Sequence, residues 1–309
     1  MLQLKNITKT YGNFRAVSDL SFDAEEGKIV GLIGPNGAGK STTIRMIMNI
    51  LEPDCGEILI DGKHLTDDDS DRIGFLPEER GLYKKQKVCD MLYYLGALKG
   101  MSKDECNKQI DIWLKKFGLS EWKNKKIDAL SKGMSQKIQF ISAVMHSPDI
   151  LFLDEPFSGL DPVSSDQLLS VIKELKSQGR IILFSTHVME TAEIICDHII
   201  MINKGQKILD GSIADIKRQY GSNTLTISLN GDHAFMKSIT GVIDVIERGN
   251  EINVTFSPET DTNSIIAEIA SAASKNGCVI SGIRLDEPSL HSIFVSIVGT
   301  PDDNSQSNK

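Results

Sequence analysis

The chain has 309 residues, is 40% hydrophobic and 25% charged, and carries a net charge of −8. That length fits about two domains, and the composition is that of an ordinary globular protein, not a fibrous or disordered one. The acidic balance argues against a polyanion, so no nucleic-acid partner is expected, and no apolar run approaches the length of a membrane span.

The first six residues have no basic stretch followed by an apolar core, so no signal peptide is expected. Residues 2–8 alternate apolar and polar side chains, the pattern of a strand with one buried face. Residues 11–17 read as a turn and 17–22 as a second strand. Tyr11 is either a half-buried strand-end residue or a ring on which a nucleobase stacks. Residues 29–33, Ile-Val-Gly-Leu-Ile, form an apolar run without alternation, which predicts a buried strand. A glycine-rich segment, 34–42, follows, and residues 43–51 read as a helix.

Residues 57–62 predict a strand and turn. The acidic run 67–71 lacks the glycine and distal glutamate of a calcium loop and reads as solvated surface. Residues 72–79 predict a strand leaving toward a loop. From 88 to about 147 the periodicity is helical: Met91, Leu92, Leu95 and Leu98 share one face, as do Ile110, Trp113, Leu114 and Phe117. The lysines of this insertion read as a solvated face; the sharper alternative is a surface near anionic lipid.

Residues 150–153 are another buried strand, ending in Asp154-Glu155-Pro156. A helix over 164–178, a strand over 180–185 with His187 beyond it, and a short helix over 192–196 follow. Residues 198–202 and 206–209 pair around Asn203-Lys204-Gly205. This alternation predicts a largely parallel α/β core. Past residue 223 the order is β-α-β-β-α-β, which predicts a small α+β, ferredoxin-like unit with no catalytic cluster. Residues 302–309 are polar, and a disordered tail is expected. The five cysteines are scattered and fit free thiols better than a disulfide frame or zinc site.

The segment Gly34-Pro35-Asn36-Gly37-Ala38-Gly39-Lys40-Ser41-Thr42 fits the phosphate-binding pattern of Gly, four residues, Gly-Lys, then Ser or Thr. Glycines let the backbone aim N–H groups into a concave nest, and the following helix points its positive end there. Lys40 adds a full charge for the outer phosphates, and the Ser41 hydroxyl suits Mg²⁺. Asp154, at a strand end, is then placed to hold Mg²⁺. Glu155 is placed to orient or deprotonate the water attacking the γ-phosphate.

In this order the motifs resemble the nucleotide-binding subunit of ATP-binding-cassette (ABC) transporters. Tyr11 stands where that family has its adenine-stacking aromatic. Residues 34–42 stand as its Walker A loop and Leu130-Ser131-Lys132-Gly133-Met134 as its signature. Asp154-Glu155 match Walker B, Ser158-Gly159-Leu160-Asp161 the D-loop, and Thr186-His187 the switch histidine.

The resemblance implies a P-loop NTPase cassette over 1–220, with an N-terminal antiparallel β subdomain and a helical part at about 85–150. An accessory α+β domain over 221–299 and a tail over 300–309 complete it. It implies catalytic roles for Glu155, His187 and Lys40, and ATP contacts from Tyr11, residues 34–42, Ser131 and Gly133. Ser41, Glu78 and Asp154 would hold Mg²⁺. Ser131 and Gly133 would meet the ATP of a second copy in a head-to-tail dimer.

Two departures stand out. The signature reads Ser-Lys-Gly-Met where Ser-Gly-Gly-Gln is usual, a spelling similar to exporters with ABC-2-type membrane subunits, including the sodium-efflux type. Glu78 replaces the usual glutamine of the Q-loop. The stretch 285–294 also resembles the close of the accessory domain in such exporters. The implied function is an ATPase that powers export, with sodium, drugs, peptides or lipids as open cargoes. Its place would be the cytoplasmic face of the membrane, beside a membrane-spanning permease. The rival readings are a soluble ABC ATPase acting on ribosomes or DNA, and a P-loop kinase or GTPase.

Overall fold

A computed structural model describes residues 1–79, 81–221, 223–249, 251–257 and 259–299; the expected polar tail lies outside the described residues. The chain divides into two compact units, one spanning Met1–Ile213 and the other beginning at Ala214.

The first unit opens with an antiparallel hairpin of β1 (Leu2–Tyr11) and β2 (Phe14–Ala24). Both strands outrun the alternation in the sequence. Tyr11 pairs with Phe14, so the expected seven-residue turn shrinks to Gly12-Asn13. β3 (Ile29–Ile33) leads to α1 (Lys40–Ile47), which starts inside the glycine-rich motif, not after it. β4 (Cys55–Ile60) and β5 (Lys63–His64) complete an antiparallel sheet of order β2-β1-β4-β5. The acidic run forms an exposed 3-10 turn, Asp67–Arg72, with a capping box between Thr66 and Asp69.

β6 (Ile73–Leu76) precedes the helical insertion of α2 (Val88–Leu98), α3 (Lys103–Lys116) and α4 (Lys132–Val144). Ser102 and Glu105 start α3 with a capping box. Met91, Leu92, Ile110, Trp113, Leu114 and Phe117 are buried, whereas Leu98 is exposed. β7 (Ile150–Asp154), α5 (Pro162–Ser177), β8 (Ile181–Thr186) and α6 (Met189–Ile195) follow. The hairpin of β9 (His198–Asn203) and β10 (Gln206–Ser212) closes the unit. Its turn residues Lys204 and Gly205 both have positive φ, the geometry that suits a two-residue hairpin.

The second sheet has the order β10-β9-β3-β8-β7-β6, parallel except at the β9–β10 hairpin. β3 and β8 are buried along their whole length, as central parallel strands covered on both faces are. One apolar core joins the two sheets: Leu4, Val17 and Leu20 belong to the same cluster as Leu32, Phe152, Leu183 and Ile200.

Helix α7 (Ile213–Gln219), unforeseen in the sequence, spans the boundary. The second unit continues with β11 (Thr224–Asn230), β12 (Val242–Arg248), β13 (Glu251–Phe256), α8 (Thr262–Lys275), β14 (Val279–Leu285) and α9 (Leu290–Val298). Its antiparallel order, β12-β13-β11-β14, is that of a split β-α-β unit. The helix expected at 234–239 is a 3-10 turn, Ala234–Ser238; five residues are too few to nucleate an α-helix. Among the described residues no helix is long and apolar enough to cross a membrane.

Candidate functional site

The carboxyl ends of β3, β8, β7 and β6 lie side by side, where open α/β sheets place ligands. From β3 the chain turns through Gly34 at φ 153° and reaches α1 through Gly39 at φ 110°. A Cβ on Gly34 would lie 2.1 Å from the Ile202 carbonyl oxygen, and one on Gly39 2.5 Å from that of Ala16. Both positions therefore require glycine for space as well as conformation. Gly39 is the N-cap of α1 and no side chain caps it, so the leading N–H groups have no side-chain acceptor. Lys40 is buried; its Nζ donates to the carbonyls of Gly34 (2.7 Å) and Pro35 (3.2 Å). Burial lowers its pKa, and the charges of Glu155, Asp154 and Glu78 oppose that shift.

Asp154 closes β7. Burial raises its pKa and the Glu155 charge adds to the effect, while the hydrogen bond from Ser185 Oγ and the charge of Lys40 act against it. Glu155 has φ 47°, a left-handed conformation uncommon for a residue with a side chain and typical of functional turns. Its N–H donates to the Ser185 carbonyl at 3.0 Å. Its Oε2 accepts from Thr186 Oγ1 at 2.9 Å, and its Oε1 from the His187 N–H at 2.8 Å. His187 Nδ1 lies 2.5 Å from the same Oε1. The Glu155 side chain is 12% exposed and that of His187 53%, so the glutamate is held inside and the histidine stands at the mouth.

A cavity of about 280 Å³ gathers Tyr11, Asn36, Gly37, Ala38, Gly39, Lys40, Ser41, Thr42, Glu78, Asp154, Glu155 and His187. Gly34 and Pro35 sit behind it and hold Lys40. Phe14 also lines it, which sequence reasoning missed. Phe14 is the cross-strand partner of Tyr11, and the two residues are 62% and 47% exposed, too exposed for core residues. Ser185, which fixes Asp154, was missed as well; a hydroxyl ending the strand beside the carboxylates was the available signal.

Ser131 and Gly133 do not line this cavity. Ser131 is the N-cap of α4, its Oγ accepting the Met134 N–H at 3.2 Å. That bond leaves the hydroxyl proton uncommitted. A Cβ on Gly133 would meet Leu160 and Asp161, so the start of α4 lies against the segment 158–161. Among the described residues no three His, Cys, Asp or Glu side chains form a metal cluster; the oxygen groups lining the cavity are Ser41, Glu78, Asp154 and Glu155, with Thr42 beside them. A larger cleft of about 540 Å³, lined by residues such as Asp23, Lys28 and Asp210, holds none of the loop residues. Its Asp210 pairs with both His198 and Lys207.

Comparison with known proteins gives consistent matches. Residues 17–158 match the family model described as ABC transporter, and residues 211–298 match the C-terminal domain of DrrA1-3-like ATP-binding proteins. The uncharacterized ABC transporter ATP-binding protein YhaQ of Bacillus subtilis is 42% identical, over 97% of this chain and 99% of that protein. The linearmycin resistance ATP-binding protein LnrL of the same organism is 33% identical, over 97% of this chain and 98% of that one. Among solved structures, the cassette MJ0796 has been seen as a dimer, with TM-score 0.64 and 27% identity over 69% of this chain and 99% of its own. It has also been seen as a dimer in a post-hydrolysis state with ADP and Pi, with TM-score 0.63.

Proposed function

The chain belongs to the ATP-binding, ATP-hydrolysing proteins of ABC transporters, and on that premise we propose that it powers an exporter with an ABC-2-type membrane subunit. One observation carries the mechanistic reading. The cavity gathers the loop, the carboxylates and His187, while Ser131 and Gly133 of the same chain lie outside it. A second copy, docked head to tail, would bring its own Ser131 and Gly133 onto the bound nucleotide.

Within the cavity the roles follow from chemistry. The N–H groups of residues 36–41 and the Lys40 ammonium bind phosphate, and Tyr11 with Phe14 offers a face to the adenine. Ser41, Glu78 and Asp154 form an all-oxygen donor set that fits Mg²⁺. The burial that raises the Asp154 pKa marks a site where a hard dication relieves unfavourable charge. When bound with ATP, the ion supplies charge neutralisation on the phosphate oxygens. Glu155, pinned by Thr186 and His187, orients the attacking water and takes its proton. His187 engages Glu155 through Nδ1, so Nε2 is the atom left to meet the γ-phosphate. ATP binding then closes the dimer and hydrolysis reopens it.

The helical insertion, 85–150, would dock on the permease and place the chain at the cytoplasmic face of the membrane. The match of residues 211–298 to a DrrA1-3-like domain supports the exporter reading. The similarity to LnrL supports a small-molecule cargo ahead of the sodium ion. Both relatives cited are ABC transporter or resistance ATP-binding proteins, which favours this reading over a ribosome- or DNA-acting ATPase. Affinity purification of the tagged chain from detergent-solubilised membranes tests the assignment. A polytopic partner cross-linked to residues 85–150 is expected; isolation with ribosomes or DNA and no membrane protein would contradict it.

A further inference from the structure

Two buried glutamines on α4 clasp the loops that carry the acidic residues. Gln136 Nε2 donates to the Pro156 carbonyl at 3.1 Å, one residue past Glu155. Gln139 Nε2 donates to the carbonyls of Pro77 (3.3 Å) and Glu79 (3.0 Å), which flank Glu78. Three residues apart, the two side chains lie on one face of the helix whose N-cap is Ser131. Both partners of the Gln139 amide are carbonyls, so its nitrogen must face them, and the orientation of the group follows from chemistry. Its Oε1 is buried and has no hydrogen-bond partner among the described residues. A buried acceptor left unpaired costs stability, and an apolar side chain of similar length would avoid that cost. The amide thus commits its donor to the two carbonyls that flank Glu78 while its acceptor stays unpaired, so its polar bonding is directed at that loop alone.

We propose that Gln139 is a positioning residue that locks the Glu78 loop to the Ser131 helix. A shift of α4, as Ser131 engages the ATP held by a second copy, then moves the Glu78 carboxylate in the chain's own site. Gln136 does the same for the turn after Glu155. One helix thus links the half-site the chain offers its partner to both acidic loops of the site it keeps. The inference rests on the roles given above to Ser131 and Glu78.

Gln139→Met removes the donor and the unpaired oxygen together while nearly conserving length. The unfolding midpoint of the nucleotide-free protein is expected to stay close to that of wild type, because the loss of the bonds to the Pro77 and Glu79 carbonyls is offset by the loss of the unpaired oxygen. Amide hydrogen exchange at Glu78 and Glu79 is expected to quicken, and kcat to fall about tenfold with little change in KM, as when a positioning partner of a site residue is lost. In a Glu78→Ala background the same change should cost nothing further, because both act through one element. A lowered midpoint with wild-type kcat, unchanged exchange at Glu78 and Glu79, or an equal loss of kcat in both backgrounds would overturn the proposal. Wild-type activity in Glu78→Ala by itself would remove the role given to Glu78, while the exchange measurement would still decide whether the clasp exists.

Discussion

The cavity and the start of α4 are two surfaces of one unit, built on opposite terms. In the cavity, a left-handed Glu155 is held by four hydrogen bonds to Ser185, Thr186 and His187, and Asp154 and Lys40 are charged groups under a burial penalty. At the start of α4, Ser131 and Lys132 are exposed, and the Ser131 side chain caps the helix through the Met134 N–H. The first surface carries a left-handed turn and charges under a burial penalty; the second is exposed, with a serine hydroxyl whose proton is uncommitted. The difference is what the proposed division of labour requires: acid–base machinery kept for the nucleotide the chain binds, and a signature free to meet the nucleotide of a second copy.

The largest test of this contrast is Glu155→Gln. Loss of the base should cut hydrolysis by about 10²–10⁴-fold while ATP binding persists and a stable dimer accumulates on a sizing column. Hydrolysis at the wild-type rate would show that another group is the base. Ser131→Asp comes next. It keeps a side chain that caps α4, so thermal stability should hold, but it sets a negative charge against the partner's phosphates. Steady-state turnover should fall by about a hundredfold, the scale of a lost donor at a charged reaction centre. Ser131→Ala should instead cost about 1 kcal/mol of stability through the lost cap, readable in denaturant titration.

Smaller effects are expected at the rim and at the buried charge. Removing either ring, Tyr11→Ala or Phe14→Ala, should weaken ATP binding about tenfold by fluorescence titration, the scale of one lost stacking contact. Asp154→Asn should abolish hydrolysis yet raise the unfolding midpoint of the nucleotide-free protein by a few degrees, since it removes a buried charge. The sign follows from the raised pKa of Asp154. Its stabilising, protonated form is fully populated below the ordinary carboxylate value and is lost as pH rises through the folded-state value. The gap between variant and wild type should therefore be widest at neutral pH and close as the solution is acidified.

Much of this arrangement was readable before the structure. The glycine-rich segment announces itself because two of its glycines abut carbonyl oxygens and admit no side chain. The apolar run ending in Asp154 reads as a buried strand because parallel strands are covered on both faces. What stayed hidden depends on partners distant in the chain. Residues 14–17 read as part of a turn, since nothing local shows that Phe14 pairs with Tyr11 and the two rings face one cavity. Gln136 and Gln139 look like ordinary polar positions on a helix. Their meaning comes from carbonyls 20 and about 60 residues away. Helix α7 is short, with Ile216 as its one buried residue, too little apolar periodicity to be seen in advance.

The central claim is that each cavity is completed by the signature of a second copy, and complementation between two inactive variants tests it directly. Lys40→Ala disables the phosphate loop and Ser131→Asp disables the signature, so a homodimer of either has no intact site. Mixed dimers, formed by refolding or co-expression of differently tagged chains and isolated through both tags, contain one site with a wild-type loop and a wild-type Ser131. The account predicts ATP hydrolysis by the mixed dimer well above that of either parent. Mixed dimers as inactive as both parents would place Ser131 and Lys40 in one and the same site and contradict it.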